Sequence, residues 1–117
     1  MTAQFDLVTL DSPGTEAIAQ FWSHAAALHE VEREDVDRWI VLADTAGVRR
    51  LGIQRGATIP GSIHLDLACT PAAFDDEVAR LVGLGARLRA APRREPYGSI
   101  ANLADPDGNA FDLCAYC

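Results

Sequence analysis

The feature of this sequence that most constrains its fold is an order of predicted elements that occurs twice. In each half, one strand is followed by a helix with an apolar stripe and then by three further strands. Leu7 lies in the first strand of the first half and Gln54 in its last strand, and His64 and Asp112 hold the same places in the second half. The two pairs are separated by nearly the same number of residues. An internal duplication of a βαβββ unit therefore predicts the architecture.

The first half shows one clear helical stripe between strand-like segments. Its apolar residues follow helical spacing, and they are Ile18, Phe21, Trp22, Ala25 and Ala26. Ser12 and Thr15 are alternative caps for the start of this helix, and Glu16 suits the positive end of the helix dipole. The predicted elements are strands over 5–10, 30–34, 38–43 and 50–55, with the helix ending near Leu28.

The second half repeats this order with stronger boundary signals. Thr70 and Pro71 are typical of a helix start, and Gly85 is typical of the residue that follows a helix. The run from Asp105 to Asn109 combines Pro, Gly and Asn, which predicts a tight turn between two strands. The predicted strands are 62–68, 86–91, 99–103 and 110–116.

These patterns predict an α+β protein made of two βαβββ modules, at about 3–56 and about 62–117. One module alone has a single helix on one sheet and buries little apolar surface. We therefore expect a single domain over residues 1–117, in which both modules form a partly open, eight-stranded, barrel-like sheet. The helices would cover the outside, and the other faces of the sheets would line a cavity.

Composition and charge exclude several classes of protein. The 117 residues are 49% hydrophobic and 23% charged, which is typical of a globular chain. A formal net charge of -7 disfavours binding to nucleic acid. No apolar run is long enough for a membrane span, and residues 1–6 do not resemble a signal peptide. The sequence therefore predicts a soluble, cytoplasmic protein.

Two polar residues are expected on the inner face of the second module. Alternation along the last strand places Asp112 between apolar residues, where a carboxylate needs water or a partner. His64 occupies the same kind of position on the first strand, where it shares a face with Asp66. Either the two side chains hydrogen-bond each other, or they hold a divalent metal such as Fe, Ni, Mn or Zn.

Several motifs resemble those of the vicinal oxygen chelate superfamily, which contains glyoxalase I, extradiol dioxygenases and bleomycin-resistance proteins. The similarity covers the whole chain and is strongest with the small glyoxalase-like domains. It rests on the paired βαβββ units and on the segments 19–22, 63–67, 83–86 and 105–109. It implies metal ligands in the first and last strands of each unit, which are His64, Asp112 and Gln54 here. Leu7 occupies the fourth position and cannot act as a ligand.

We therefore expect a glyoxalase-like protein that binds a small organic molecule in an inner cavity, with a degenerate metal site. The alternative is a metal-dependent lyase, isomerase or dioxygenase acting on a substrate with vicinal oxygens. The expected cofactor is one divalent metal or none. A third interpretation is a structural subunit whose cavity is filled by Trp39 and Tyr97. The resemblance also implies a homodimer. The predicted pocket residues are Gln54, His64, Asp112, Trp39 and Tyr97.

Overall fold

The structure is a computed structural model that describes residues 4–61 and 63–116. The chain divides into two compact units, of which the first ends at Thr58 and the second begins at Ile59. The predicted module limits at residues 3, 62 and 117 lie outside the described residues. That the two units share one domain and one barrel-like sheet stays a prediction.

The first unit has one helix and an open four-stranded sheet. Its elements are β1 (Val8–Ser12), α1 (Thr15–Ala25), β2 (His29–Glu34), β3 (Trp39–Ala43) and β4 (Arg49–Arg55). The strand order is β1-β4-β3-β2, with β1 parallel to β4 and the other pairs antiparallel. Trp22 and Ile18 of α1 are buried, as are Ile40 and Ile53 of the sheet, so the core of this unit lies between helix and sheet.

The first helix is shorter than the sequence predicts. It ends at Ala25, and Ala27 has a positive φ of 55°. The N–H of Leu28 donates to the carbonyl of Ser23, which is the closing bond of a Schellman motif. This motif usually uses glycine at the left-handed position. Because alanine occupies that position here, the sequence carried no signal for the early end of the helix.

The second unit repeats the order of the first. Its elements are β5 (His64–Ala68), a 3₁₀ turn (Pro71–Ala73), α2 (Phe74–Gly83), β6 (Arg87–Leu88), β7 (Arg93–Glu95), β8 (Gly98–Ala104) and β9 (Ala110–Tyr116). The strand order is β5-β9-β8-β6, β7 also pairs with β8, and β5 is parallel to β9. Gly85 has φ +117° directly after the C-cap, as predicted. The α+β class and the two βαβββ units are confirmed.

One predicted strand, 86–91, is shorter in the structure. Arg87–Leu88 pair with β8, the N–H of Arg89 donates to the carbonyl of Asn102, and a second short strand that was not predicted, Arg93–Glu95, follows. Pro92 lies between the two and has no N–H for a sheet hydrogen bond, which explains the interruption. The described residues therefore form nine strands in two open sheets, where the sequence predicted eight strands.

The predicted turn between the last two strands is confirmed. The N–H of Asp105 donates to the carbonyl of Asn109, and that of Gly108 donates to the carbonyl of Asp105. Gly108 has φ +93°, a conformation that glycine adopts without strain. This turn sets the register of β8 and β9, in which Asn102 lies directly opposite Asp112.

In the described part of the chain, no helix is long and apolar enough to cross a membrane.

Candidate functional site

A cluster of polar side chains lies on one face of the second sheet, where β5 and β9 run side by side. Alternation along β5 leaves His64 and Asp66 exposed, while Leu65 and Leu67 are half-buried on the opposite face. The parallel register places Asp66 beside Asp112 of β9. Three side chains with metal-ligating atoms therefore share one face.

Asp112 is buried and has two polar partners. Its Oδ2 lies 3.0 Å from Nε2 of His64, and its Oδ1 accepts a hydrogen bond of 2.7 Å from Nδ2 of Asn102. A buried carboxylate needs polar partners. His64 of β5 and Asn102 of β8, the strands on either side of β9, supply them. His64 and Asp112, which the sequence singled out, are therefore together in the structure.

Asp66 completes a group of three candidate ligands. Its Oδ1 lies 3.5 Å from Nε2 of His64, and one donor atom from each of His64, Asp66 and Asp112 lies within 4.8 Å of the others. Metal–ligand bonds of about 2.1 Å at right angles separate neighbouring donors by roughly 3 Å. One imidazole and two carboxylates also suit Fe(II), Mn(II), Ni(II) or Zn(II). The donor set and its spacing fit a divalent metal.

Sequence reasoning noted that Asp66 shares a face with His64 but did not name it as a ligand. The signal was present, because alternate residues of a strand share a face and β5 was clearly strand-like. Asn102 was not singled out at all. It could have been found by counting outward from the turn, since a hairpin of known loop length places Asn102 opposite Asp112.

The polar cluster extends from Asn102 toward the edge of the sheet. Oδ1 of Asn102 accepts a hydrogen bond of 2.6 Å from Nη1 of Arg93, and Nε of Arg93 donates to Glu95 at 2.9 Å. Arg93 and Glu95 belong to the short strand β7. A continuous series of contacts therefore leads from Glu95 through Arg93 and Asn102 to Asp112.

Gln54 and Trp39 belong to the first unit, where they lie opposite each other on β4 and β3. Gln54 is exposed. A Cβ on Gly52 would lie 2.2 Å from the Trp39 ring, so the indole covers that glycine closely. Nε1 of Trp39 donates to Glu32 at 2.8 Å. That either residue lines a pocket, or that Gln54 is a ligand, stays a prediction.

Strand pairing gives a different alignment of the residues of the two units from the one given by their spacing in the sequence. Gln54 pairs with Asp11 across β1 and β4, as Asp112 pairs with Asp66 across β5 and β9. The position two residues before Asp66 is His64, so the equivalent position in the first unit is Thr9 rather than Leu7. Thr9 has neither an imidazole nor a carboxylate. The first unit therefore lacks a counterpart of His64 on either alignment.

Tyr97, the remaining predicted pocket residue, lies just before β8. Its ring is 6.2 Å from that of Tyr116, with a tilted geometry, and both side chains are largely exposed. The pKa of Tyr116 is raised mainly by a hydrogen bond with Cys114, and the charge of Asp66 raises it further. Tyr116 lies on the same face of β9 as Asp112, since alternate residues share a face.

The sequence model of the Glyoxalase-like domain family matches residues 7–114, and the chain belongs to this family. A glyoxalase/bleomycin resistance protein/dioxygenase family enzyme from Burkholderia phytofirmans PsJN has a similar fold, with a TM-score of 0.83 and 21% identity over 98% of this chain and 100% of the other. No curated protein matches significantly.

Fosfomycin resistance proteins are also among the similar structures. FosX from Listeria monocytogenes has a TM-score of 0.80 and 17% identity over 100% of this chain and 96% of its own. A FosX variant from the same organism was solved as a complex with Mn(II) and 1S,2S-dihydroxypropylphosphonic acid, and it has a TM-score of 0.80 and 16% identity over 100% of this chain and 93% of its own. At these identities the likeness concerns the fold alone.

Proposed function

We propose that this protein binds one divalent metal ion through His64, Asp66 and Asp112, and with it a small molecule that carries two neighbouring oxygen atoms. The observation that carries this proposal is the convergence of the three donor atoms within 4.8 Å of one another. These donors all come from the second unit. The proposed site therefore does not depend on Gln54, and Asp66 takes the place that the sequence prediction gave to Gln54.

Asp112, His64 and Asp66 would have different roles in such a site. Asp112 is buried and hydrogen-bonded, so its carboxylate has a defined position. His64 and Asp66 are exposed, so a small molecule can reach the cluster from that side. A divalent ion bound there supplies Lewis acidity, which polarises oxygen atoms of the bound molecule.

The FosX complex supports the choice of ligand class for a first test. The compound bound to that protein is a vicinal diol with a phosphonic acid, and its metal is Mn(II). Mn(II) accepts both imidazole and carboxylate ligands. For this chain, we propose Mn(II) as the first ion to test and vicinal diols or hydroxy ketones as the first molecules.

A second candidate is a binding protein without a metal. The specific observation in its favour is the 3.0 Å distance between Nε2 of His64 and Oδ2 of Asp112, which suits a direct hydrogen bond. In that case the two groups satisfy each other, and Asp66 is an exposed carboxylate in water. The homodimer and the cytoplasmic location stay predictions from the sequence.

Calorimetric titration of metal-free protein with Mn(II), Fe(II), Ni(II) and Zn(II) tests the proposal. We expect one ion per chain, and a loss of affinity of at least about 100-fold in His64→Ala, because a direct ligand matters more than an outer-shell residue. His29→Ala is the matched control, since this exposed histidine lies in the first unit. The control should bind like the wild type.

Absence of binding by the wild type would reject the metal site and favour the metal-free binding protein. Equal affinity in wild type and His64→Ala would place the ion elsewhere. Metal-loaded protein is then mixed with vicinal diols and hydroxy ketones. Turnover would support a lyase, isomerase or dioxygenase, whereas saturable binding without turnover would support a binding protein.

A further inference from the structure

The two oxygens of Asp112 have different partners. Oδ2 faces Nε2 of His64 at 3.0 Å, whereas Oδ1 accepts the hydrogen bond from Nδ2 of Asn102 at 2.7 Å. Asn102 is half-buried and lies directly opposite Asp112 in the antiparallel register of β8 and β9. The backbone pairing therefore keeps the amide next to the carboxylate.

Arg93 determines which way the Asn102 amide points. A guanidinium group only donates hydrogen bonds, so the atom of Asn102 that faces it must be the carbonyl oxygen. Nη1 of Arg93 donates to this oxygen at 2.6 Å. The reversed amide would place its NH₂ group against the guanidinium and its oxygen against the Asp112 carboxylate. Both contacts would then be repulsive.

Glu95 in turn holds Arg93. Its Oε1 accepts a hydrogen bond of 2.9 Å from Nε of Arg93, which leaves Nη1 directed at Asn102. An exposed ion pair of this kind contributes little to stability by itself. Its effect here is orientational, since it restricts the guanidinium to one side of the amide.

We propose that Asn102 is a positioning residue for Asp112, and that Arg93 fixes the orientation of Asn102. This inference rests on the proposed function. By occupying Oδ1, Asn102 leaves Oδ2 as the oxygen that Asp112 presents to the metal, beside His64. Asp112 would then hold a metal through the oxygen that faces His64, and Asn102 of β8 would set the direction of the carboxylate.

Outer-shell partners of this type typically change metal affinity by about 10–100-fold when they are replaced. We expect Asn102→Ala and Asn102→Leu to weaken Mn(II) binding by about 10–100-fold. Leucine is also branched at Cγ and leaves no cavity, but it removes both the amide donor and the carbonyl acceptor, so together with alanine it separates loss of the hydrogen bonds from loss of volume. Arg93→Ala should weaken binding in the same direction by a smaller factor, because it acts through Asn102.

The test is a titration of the metal-free 117-residue chain with Mn(II). Free Mn(II) is measured by electron paramagnetic resonance, and folding is checked by circular dichroism. Arg94→Ala is the control, because Arg94 is the exposed neighbour of Arg93 on β7. Arg93→Lys keeps a cationic donor and should restore affinity relative to Arg93→Ala. A merely structural role of Arg93 would show no such rescue.

The outcomes separate this inference from the proposed function. If the wild type binds Mn(II) and folded Asn102→Leu binds equally well, the positioning role is overturned while the metal site stands. If the wild type does not bind Mn(II), both the metal site and the positioning role are overturned. Weakening in Asn102→Leu and Arg93→Ala, but not in Arg94→Ala, supports the inference.

Discussion

Asp105 shows how one side chain organises the turn next to the candidate site. It is buried, and its Oδ1 accepts hydrogen bonds from the backbone N–H groups of Asp107 at 3.0 Å and Asn109 at 2.8 Å. Its Oδ2 accepts from Nδ2 of Asn109 at 3.0 Å. These bonds satisfy donors that the tight turn removes from water, so Asp105 stabilises the turn that determines the register at Asp112.

Replacing Asp105 with alanine should lower the free energy of unfolding by about 1–3 kcal/mol, because buried donors lose their acceptor. Urea unfolding at neutral pH measures this change. Asp107→Ala is a suitable control, since Oδ2 of Asp107 is buried with no hydrogen-bond partner among the described residues. An equal loss in the two variants would contradict this account of the turn.

At the scale of elements, the pairing of β8 with β9 places Asn102 beside Asp112, and Gly98 is the first residue of β8. This glycine has φ +137°, and a Cβ there would lie 2.1 Å from the carbonyl oxygen of Ala115. The contact is with backbone, which cannot move aside as a flexible side chain can. Only glycine therefore allows the two strands to pair at this end.

We expect Gly98→Ala to destabilise the protein by more than about 2 kcal/mol, from the unfavourable φ and the backbone clash together. Gly83→Ala should have the opposite sign and stabilise by about 0.5 kcal/mol. Gly83 is at the end of α2, and among the described residues a Cβ added there would have no atom within 4 Å apart from its chain neighbours and the nearby backbone of the helix itself. Melting temperatures compare the variants, and a Gly98→Ala protein as stable as the wild type would refute the prediction.

At the scale of the whole molecule, the two units use their charged residues differently. Several carboxyl groups of the first unit have a pKa lowered mainly by one hydrogen-bond donor. These are Glu30 with Arg33, Glu32 with Arg49, Asp37 with Arg55 and Asp44 with the backbone N–H of Val48. In the second unit, the candidate site instead brings carboxylates together on one face, where a cation would offset their charge.

The lowered pKa values predict loss of stability in acid. A carboxyl whose pKa is lower in the folded state stabilises the protein above its unfolded pKa of about 4. This contribution disappears as the pH falls through the folded pKa. Melting temperature should therefore fall as the pH is lowered from about 5 toward about 2.

Asp44→Asn tests one of these groups, because asparagine keeps an acceptor but loses the charge. The variant should melt below the wild type at neutral pH, and the difference should shrink in acid. A difference that stays constant down to a pH of about 2 would show that the ionised form of Asp44 does not contribute.

Much of the fold could be predicted from local patterns. The duplicated βαβββ order, the glycine after α2 and the Asp105–Asn109 turn all follow from signals within a few neighbouring residues. Where a local signal was absent, as at Ala27, the predicted boundary was displaced. His64 and Asp112 could be singled out because a polar residue in an apolar strand is unusual, whatever its neighbours.

By itself, the sequence determined the α+β class, the two units and two of the three candidate ligands, because each depends on periodicity and turn chemistry. Only the tertiary structure brought Asp66 of β5 beside Asp112 of β9 and showed the contact of Arg93 with Asn102. Those contacts join β5, β7, β8 and β9, and they depend on which strands pair and in what register. The tight turn between β8 and β9 sets their register locally, but the pairing of β5 with β9 is a relation between distant segments, so no local pattern contains it.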